Sequence, residues 1–178
     1  PSVVANGGIY MWKDVRRNWD TTTAVFDYGP ADDKSKGFQV TFASRMHNGD
    51  ERPAELYYSN GGELNLITNK VSPAGGLQKG HAEAMGMQPN LLPTMDLVTK
   101  NVTVAASANT GGDPLTSAHM RNWMECVRSR KQPNAPIEAG YMHSIASIMT
   151  NAAVRTGQKA TFDAAKAQVM AGGKVFKY

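Results

Sequence analysis

The sequence predicts an α+β protein: an open, mostly antiparallel β-sheet with helices packed on one face. Three observations carry that prediction. The first third alternates apolar and polar residues in short runs broken by Gly- and Asn-rich turns, the pattern of half-buried strands in hairpin order. The last third spaces its apolar residues at i, i+3, i+4 and i+7: Met120, Trp123, Met124 and Val127, then Ile145, Ile148, Met149 and Ala152. Strand-rich segments precede helix-rich ones instead of alternating with them, which argues against βαβ units.

In chain order, residues 2–5 are an extended piece ending in the turn Asn6-Gly7-Gly8, and residues 9–12 are a second strand. A polar loop, residues 13–20, carries three cations, two carboxylates and Trp19. Residues 21–28 alternate cleanly, and residues 29–37 form the charged loop that joins antiparallel neighbours. Residues 38–47 are the clearest strand, with Phe38, Val40, Phe42 and Met46 on one face and Gln39, Thr41, Ala43, Arg45 and His47 on the other. Asn60-Gly61-Gly62 turns residues 54–58 into residues 63–68, because glycine supplies the positive φ of a tight hairpin. Residues 72–117 show no sustained period, although Val98, Val102 and Val104 hint at one more extended piece. The two striped helices are separated by Lys-Gln-Pro-Asn-Ala-Pro, where Pro133 and Pro136 force the chain out of helix. Both stripes are expected to be buried against the sheet, with Gly157 closing the second helix in the left-handed conformation. An edge strand over residues 158–162 and a third helix over 164–170, N-capped by Asp163, complete the expectation.

The chain has 178 residues, 41% hydrophobic and 19% charged, which suits one globular domain over residues 1–178. No apolar run reaches the ~20 residues of a membrane-spanning helix. No charged-then-apolar leader is visible, an expectation that favours the cytoplasm over the periplasm. The net charge is +4, but Arg128, Arg130 and Lys131 cluster where a helix dipole favours cations, and no basic stripe interleaved with aromatics points to nucleic acid. Cys126 is the single cysteine, so there is neither a disulfide framework nor a multi-thiolate metal site, and it reads as buried filler. The four histidines, His47, His81, His119 and His143, have no paired-ligand spacing, and no metal site is expected. His119 and His143, near the heads of helices, read as local hydrogen-bonding residues. No Gly pair extends to a nucleotide-binding fingerprint, and no nucleophile motif is present. One constellation has the right chemistry for a polyhydroxylated or anionic ligand. It joins Trp12, Lys13, Arg16 and Arg17 of the loop to Arg45 and His47 on the polar face of the long strand, with an indole as stacking plate.

Two stretches resemble a known family. ANGGIYMWKDVRRNWDTTTAVFDYG is similar to a segment in the C-terminal domain of the Gfo/Idh/MocA family, named after glucose–fructose oxidoreductase and inositol dehydrogenase. HMRNWMECVRSRKQPNAPIEAGYMHSIASIMTNAAVRTGQKATFD resembles its closing segment more closely, and together they cover a little under half of the chain. The resemblance implies an open antiparallel sheet with helices on one face, a domain that lines the substrate pocket, and homo-oligomers built through the sheet. The family binds NAD(P) in an N-terminal Rossmann domain and carries its catalytic lysine in a Glu-Lys-Pro motif; this sequence has neither. The family's catalytic His has no counterpart between Ile9 and Tyr28, so no catalytic or cofactor-binding residue is assigned. The expectation is a substrate-side and oligomerisation domain of an NAD(P)-dependent oxidoreductase of sugars or polyols, not catalytic by itself, with the Rossmann domain in cis. The alternatives are a stand-alone assembly or binding module, and the same domain of an NAD-using glycosidase.

Overall fold

A computed structural model describes residues 1–46, 54–97 and 114–177. The fold is α+β, with open antiparallel sheets of six and four strands and three α-helices among the described residues. In chain order come β1 (Ser2–Gly8), β2 (Thr21–Tyr28), β3 (Phe38–Arg45), β4 (Leu56–Ser59), β5 (Gly62–Asn65), β6 (Lys70–Ser72) and α1 (Lys79–Ala84). Then follow β7 (Met95–Asp96), α2 (Pro114–Ser129), α3 (Ile137–Thr156), β8 (Ala160–Asp163), β9 (Gln168–Ala171) and β10 (Lys174–Val175). The chain divides into two compact units, Pro1–Gly49 with Asn122–Tyr178, and Asp50–Arg121.

The first unit holds the larger sheet, in the order β10-β9-β8-β1-β2-β3. Its register decides which side chains share a face. Val3 pairs with Phe26 and Ala160, Phe26 with Val40, and Ala160 with Ala171. Onto that face α3 lays Ile145, Met149, Ala152 and Ala153, all buried, against Val3, Ala24, Phe26, Ala160, Val169 and Ala171. Alanines on both sides let helix and sheet approach closely. Met149, 1% exposed, is the largest apolar side chain fully enclosed there, and such burial contributes about 1.5–3 kcal/mol. Gly157 ends α3 at φ 65°, its N–H donating to the Ala153 carbonyl at 2.9 Å, as the sequence predicts. The helix packs on β1, β8 and β9 and leaves the β2–β3 end of the same face open. That is why the apolar residues of β3 remain exposed, Phe38 at 63% and Phe42 at 49%.

Several expectations are corrected. Residues 9–12 are not a strand: the backbone N–H groups of Tyr10, Met11 and Trp12 donate to the Asp20 carboxylate, not to a neighbouring strand. The turn expected at Asn6-Gly7-Gly8 is instead the end of β1, paired with Thr21–Thr23. A Cβ on Gly7 would stand 2.9 Å from the Thr21 carbonyl oxygen, so glycine there serves close approach. The strand after α3 is interior, lying between β9 and β1. The third helix is absent: Asp163 does accept from two backbone N–H groups, Ala165 and Lys166, but they belong to a hairpin turn between β8 and β9. The stripe of α2 is exposed, Met120 and Trp123 at 49% each, and Cys126 is half-buried.

The second unit is built on the smaller sheet, β4-β5-β6-β7, all antiparallel. Its β4–β5 hairpin turns at Asn60-Gly61, and Gly62 follows at φ 138°, where the expected positive φ is found. The expected extended piece at Val98, Val102 and Val104 lies outside the described residues.

Candidate functional site

Asp20 organises the loop of residues 9–19. It is 1% exposed, and its carboxylate accepts from Tyr10, Met11 and Trp12 backbone N–H at 3.0, 2.8 and 3.0 Å and from the Thr21 hydroxyl at 3.1 Å. Its backbone ties both neighbours in, its N–H donating to Gly8 and its carbonyl accepting from Met46. Burial alone raises the pKa of such a group, but the donors of Tyr10, Trp12, Met11 and Thr21 together outweigh burial. Asp20 therefore ionises below the ordinary carboxylate range. Out along the loop, Arg16 grips Asp14 with two bonds of 2.8 and 2.7 Å, which holds the Asp14 carboxyl at about 2. The Arg16 guanidinium also lies 5.3 Å from the centre of the Trp12 ring.

Where α3 leaves the face uncovered, a groove of about 520 Å³ opens. Its floor is Thr22, Phe26 and Tyr28 of β2 with Val40, Phe42 and Ser44 of β3. Tyr28 stacks on Phe38 at 4.9 Å between ring centres and lies 6.1 Å from Phe26, forming an aromatic rim. One wall is a polar stripe of α3, with His143, Ser147, Thr150, Asn151 and Arg155 at helical spacing beside the buried stripe. Arg17, Asn18 and Trp19 close the groove from the loop. The Arg155 guanidinium sits 5.6 Å from the centre of the Trp19 ring, and its Nε donates to Asn151 Oδ1 at 2.6 Å. Ser147 donates to the His143 carbonyl and Thr150 to the Ala146 carbonyl, at 3.2 and 3.0 Å. With their protons so used, both hydroxyls keep lone pairs, which suits them to accept from a ligand.

Of the candidates read from sequence, Arg17 lines the groove. Trp12, Lys13 and Arg16 are elsewhere on the same loop, and Arg45 lies on the opposite face of β3 from Phe42 and Ser44. His47 lies outside the described residues. The sequence reading singled out the polar face of the long strand, whereas the groove opens on its apolar face. It also took His143 only as a local hydrogen-bonding residue and did not single out Ser147 or Asn151. Their i, i+4, i+8 spacing is visible once the apolar stripe two residues further along has fixed the helix.

A second, smaller pocket of about 430 Å³ belongs to the other unit, lined by Asn60, Gly61, Leu77 and residues 87–90. Its wall is held by backbone bonds from Leu77 to Asn60 and from Leu92 to Gly61. Among the described residues no three His, Cys, Asp or Glu side chains gather as a metal site, and no helix is long and apolar enough to cross a membrane. No family model, curated protein or solved structure matches this chain.

Proposed function

We propose that this chain is the substrate-side and oligomerisation domain of an NAD(P)-dependent oxidoreductase acting on sugars or polyols. The observation that carries the reading is the groove, which sets an aromatic floor beside a helix stripe of hydroxyls and amides. A sugar needs both surfaces. Its C–H faces lie on aromatic rings, and each desolvated hydroxyl needs a partner. Ser147 and Thr150 offer acceptors, while Asn18 and Asn151 offer amides that can donate and accept. The described residues contain no glycine-rich strand-to-helix turn to receive a dinucleotide, so the cofactor belongs to polypeptide other than these residues. The cofactor supplies hydride chemistry; this domain orients the substrate carbon and keeps water away. The sheet face turned away from α3, with Val4 51% exposed opposite Val25, itself paired with Thr41, is where a second copy docks in this reading.

Saturation-transfer NMR of the chain with D-glucose, D-xylose and myo-inositol tests the substrate half. Transfer to ring protons, lost in Trp19→Ala or Phe42→Ala, is the expected result. If no sugar or polyol receives magnetisation, or if those variants leave the transfer intact, the groove is not a sugar site. Light scattering tests the assembly half, with Val4→Lys expected to reduce the mass to that of one chain.

A further inference from the structure

The groove is much longer than one sugar ring. Its helix wall and its strand floor start from the same end, where the Arg155 guanidinium meets the Trp19 ring. There a Cβ on Gly7, the sheet partner of Thr22, would stand 3.4 Å from Val154. From that end the lining residues of β2 run from Thr22 to Tyr28, and those of α3 run from Arg155 back to His143. At about 3.3 Å per strand residue and about 1.5 Å per helix residue, the two stretches measure roughly 20 and 18 Å. The helix wall also repeats. His143, Ser147, Asn151 and Arg155 recur at every fourth residue, so a polar side chain meets the groove about every 6 Å. Aromatic surface is spread along the same length: Trp19 at the loop end, Phe42 level with Ala24, and Tyr28 at the far end of the floor.

Resting on the reading of the groove as a sugar site, we infer that its ligand is an extended oligosaccharide of about three linked pyranose rings, not a free monosaccharide. One pyranose covers less than half of either wall and leaves most of the 520 Å³ to water. A ligand that follows the whole length takes more apolar surface out of water, and it gives more of the polar stripe a partner. The spacing of that stripe is close to the advance of one ring in a β-1,4-linked chain. Successive rings therefore each meet a polar side chain of α3, while their C–H faces lie toward Trp19, Phe42 and Tyr28 in turn. The parent enzyme then acts on a sugar that is still joined to others.

Calorimetric titration of the intact chain with D-glucose and cellotriose, and with D-xylose and xylotriose, separates the outcomes, because each trimer repeats the ring of its monomer. At least one trimer is expected to bind about tenfold or more tightly than its own monomer. Tyr28→Ala and His143→Ala, at the end of the groove far from Trp19, should each erase most of that advantage. His143 is exposed on α3, so its variant keeps the fold even where loss of the Tyr28 ring disturbs the stack with Phe26 and Phe38. If both trimers bind no more tightly than their monomers, the inference is overturned while the sugar-site reading stands. An advantage that survives both variants puts the added rings outside the groove and overturns it as well. Binding by none of the four sugars overturns both readings.

Discussion

Asp20 is a charged side chain as enclosed as Met149 in the core, 1% exposed, and it is stable there because three backbone N–H groups and the Thr21 hydroxyl donate to it. Its folded pKa lies below the unfolded one, so its contribution is complete above the ordinary carboxylate pKa near 4 and fades as pH falls through the folded value. Thermal melts between pH 7 and pH 3 should therefore show Asp20→Asn melting several degrees lower at neutral pH, with the gap narrowing in acid. A gap that stays constant with pH would mean that the amide loses shape and not charge. Met149 is the apolar counterpart. Met149→Ala should cost about 2–5 kcal/mol in urea denaturation. Its neighbour Ile148 is 38% exposed, and Ile148→Ala should cost much less. The sequence placed both on one stripe; what it could not show is that the helix rolls so that only one of them faces the sheet.

The helix α3 is the element whose ends and faces were most legible. Pro136 precedes it, Gly157 closes it, and Ile145, Met149 and Ala152 mark its inner side. A Cβ on Gly157 would touch nothing within 4 Å, so Gly157→Ala isolates the cost of φ 65° in a residue with a side chain, about 1 kcal/mol by chemical denaturation. The misread elements each involve an aspartate, in different ways. Residues 9–12 carry the composition of a strand, yet Asp20 takes the backbone N–H groups a strand would use. Residues 164–170 carry the composition of a helix that Asp163 could cap, yet Gln168–Ala171 pair with β8 as β9 and the capped segment is only a turn. Asp163 acts at a distance of two or three residues, where a helix cap and a turn look alike in sequence. Asp20 acts on residues eight to ten positions before it, beyond any local rule. The alternation of Phe38 to Arg45 gave the faces of β3 correctly, but not how much of the sheet the helix would cover, and the groove exists because cover is incomplete.

At the scale of the whole molecule, the proposed division of labour places the substrate's contacts in the first unit and leaves redox chemistry to other polypeptide. Fluorescence titration of the intact chain with NADH should give no saturable binding, and tight binding would return the cofactor to these residues. The net charge of the chain is +4, and among the described residues Arg17, His143 and Arg155 line the groove. The clasp at Asp20 has a bearing on how such a molecule can change. Since Gly8 and residues 10–12 at the loop's start are fastened to the residue at its far end, the stretch between behaves as a removable cartridge. Exchange of residues 13–19 for others of similar length is expected to leave the melting temperature of the frame nearly unchanged, and under the proposed reading it would change ligand preference without rebuilding the scaffold.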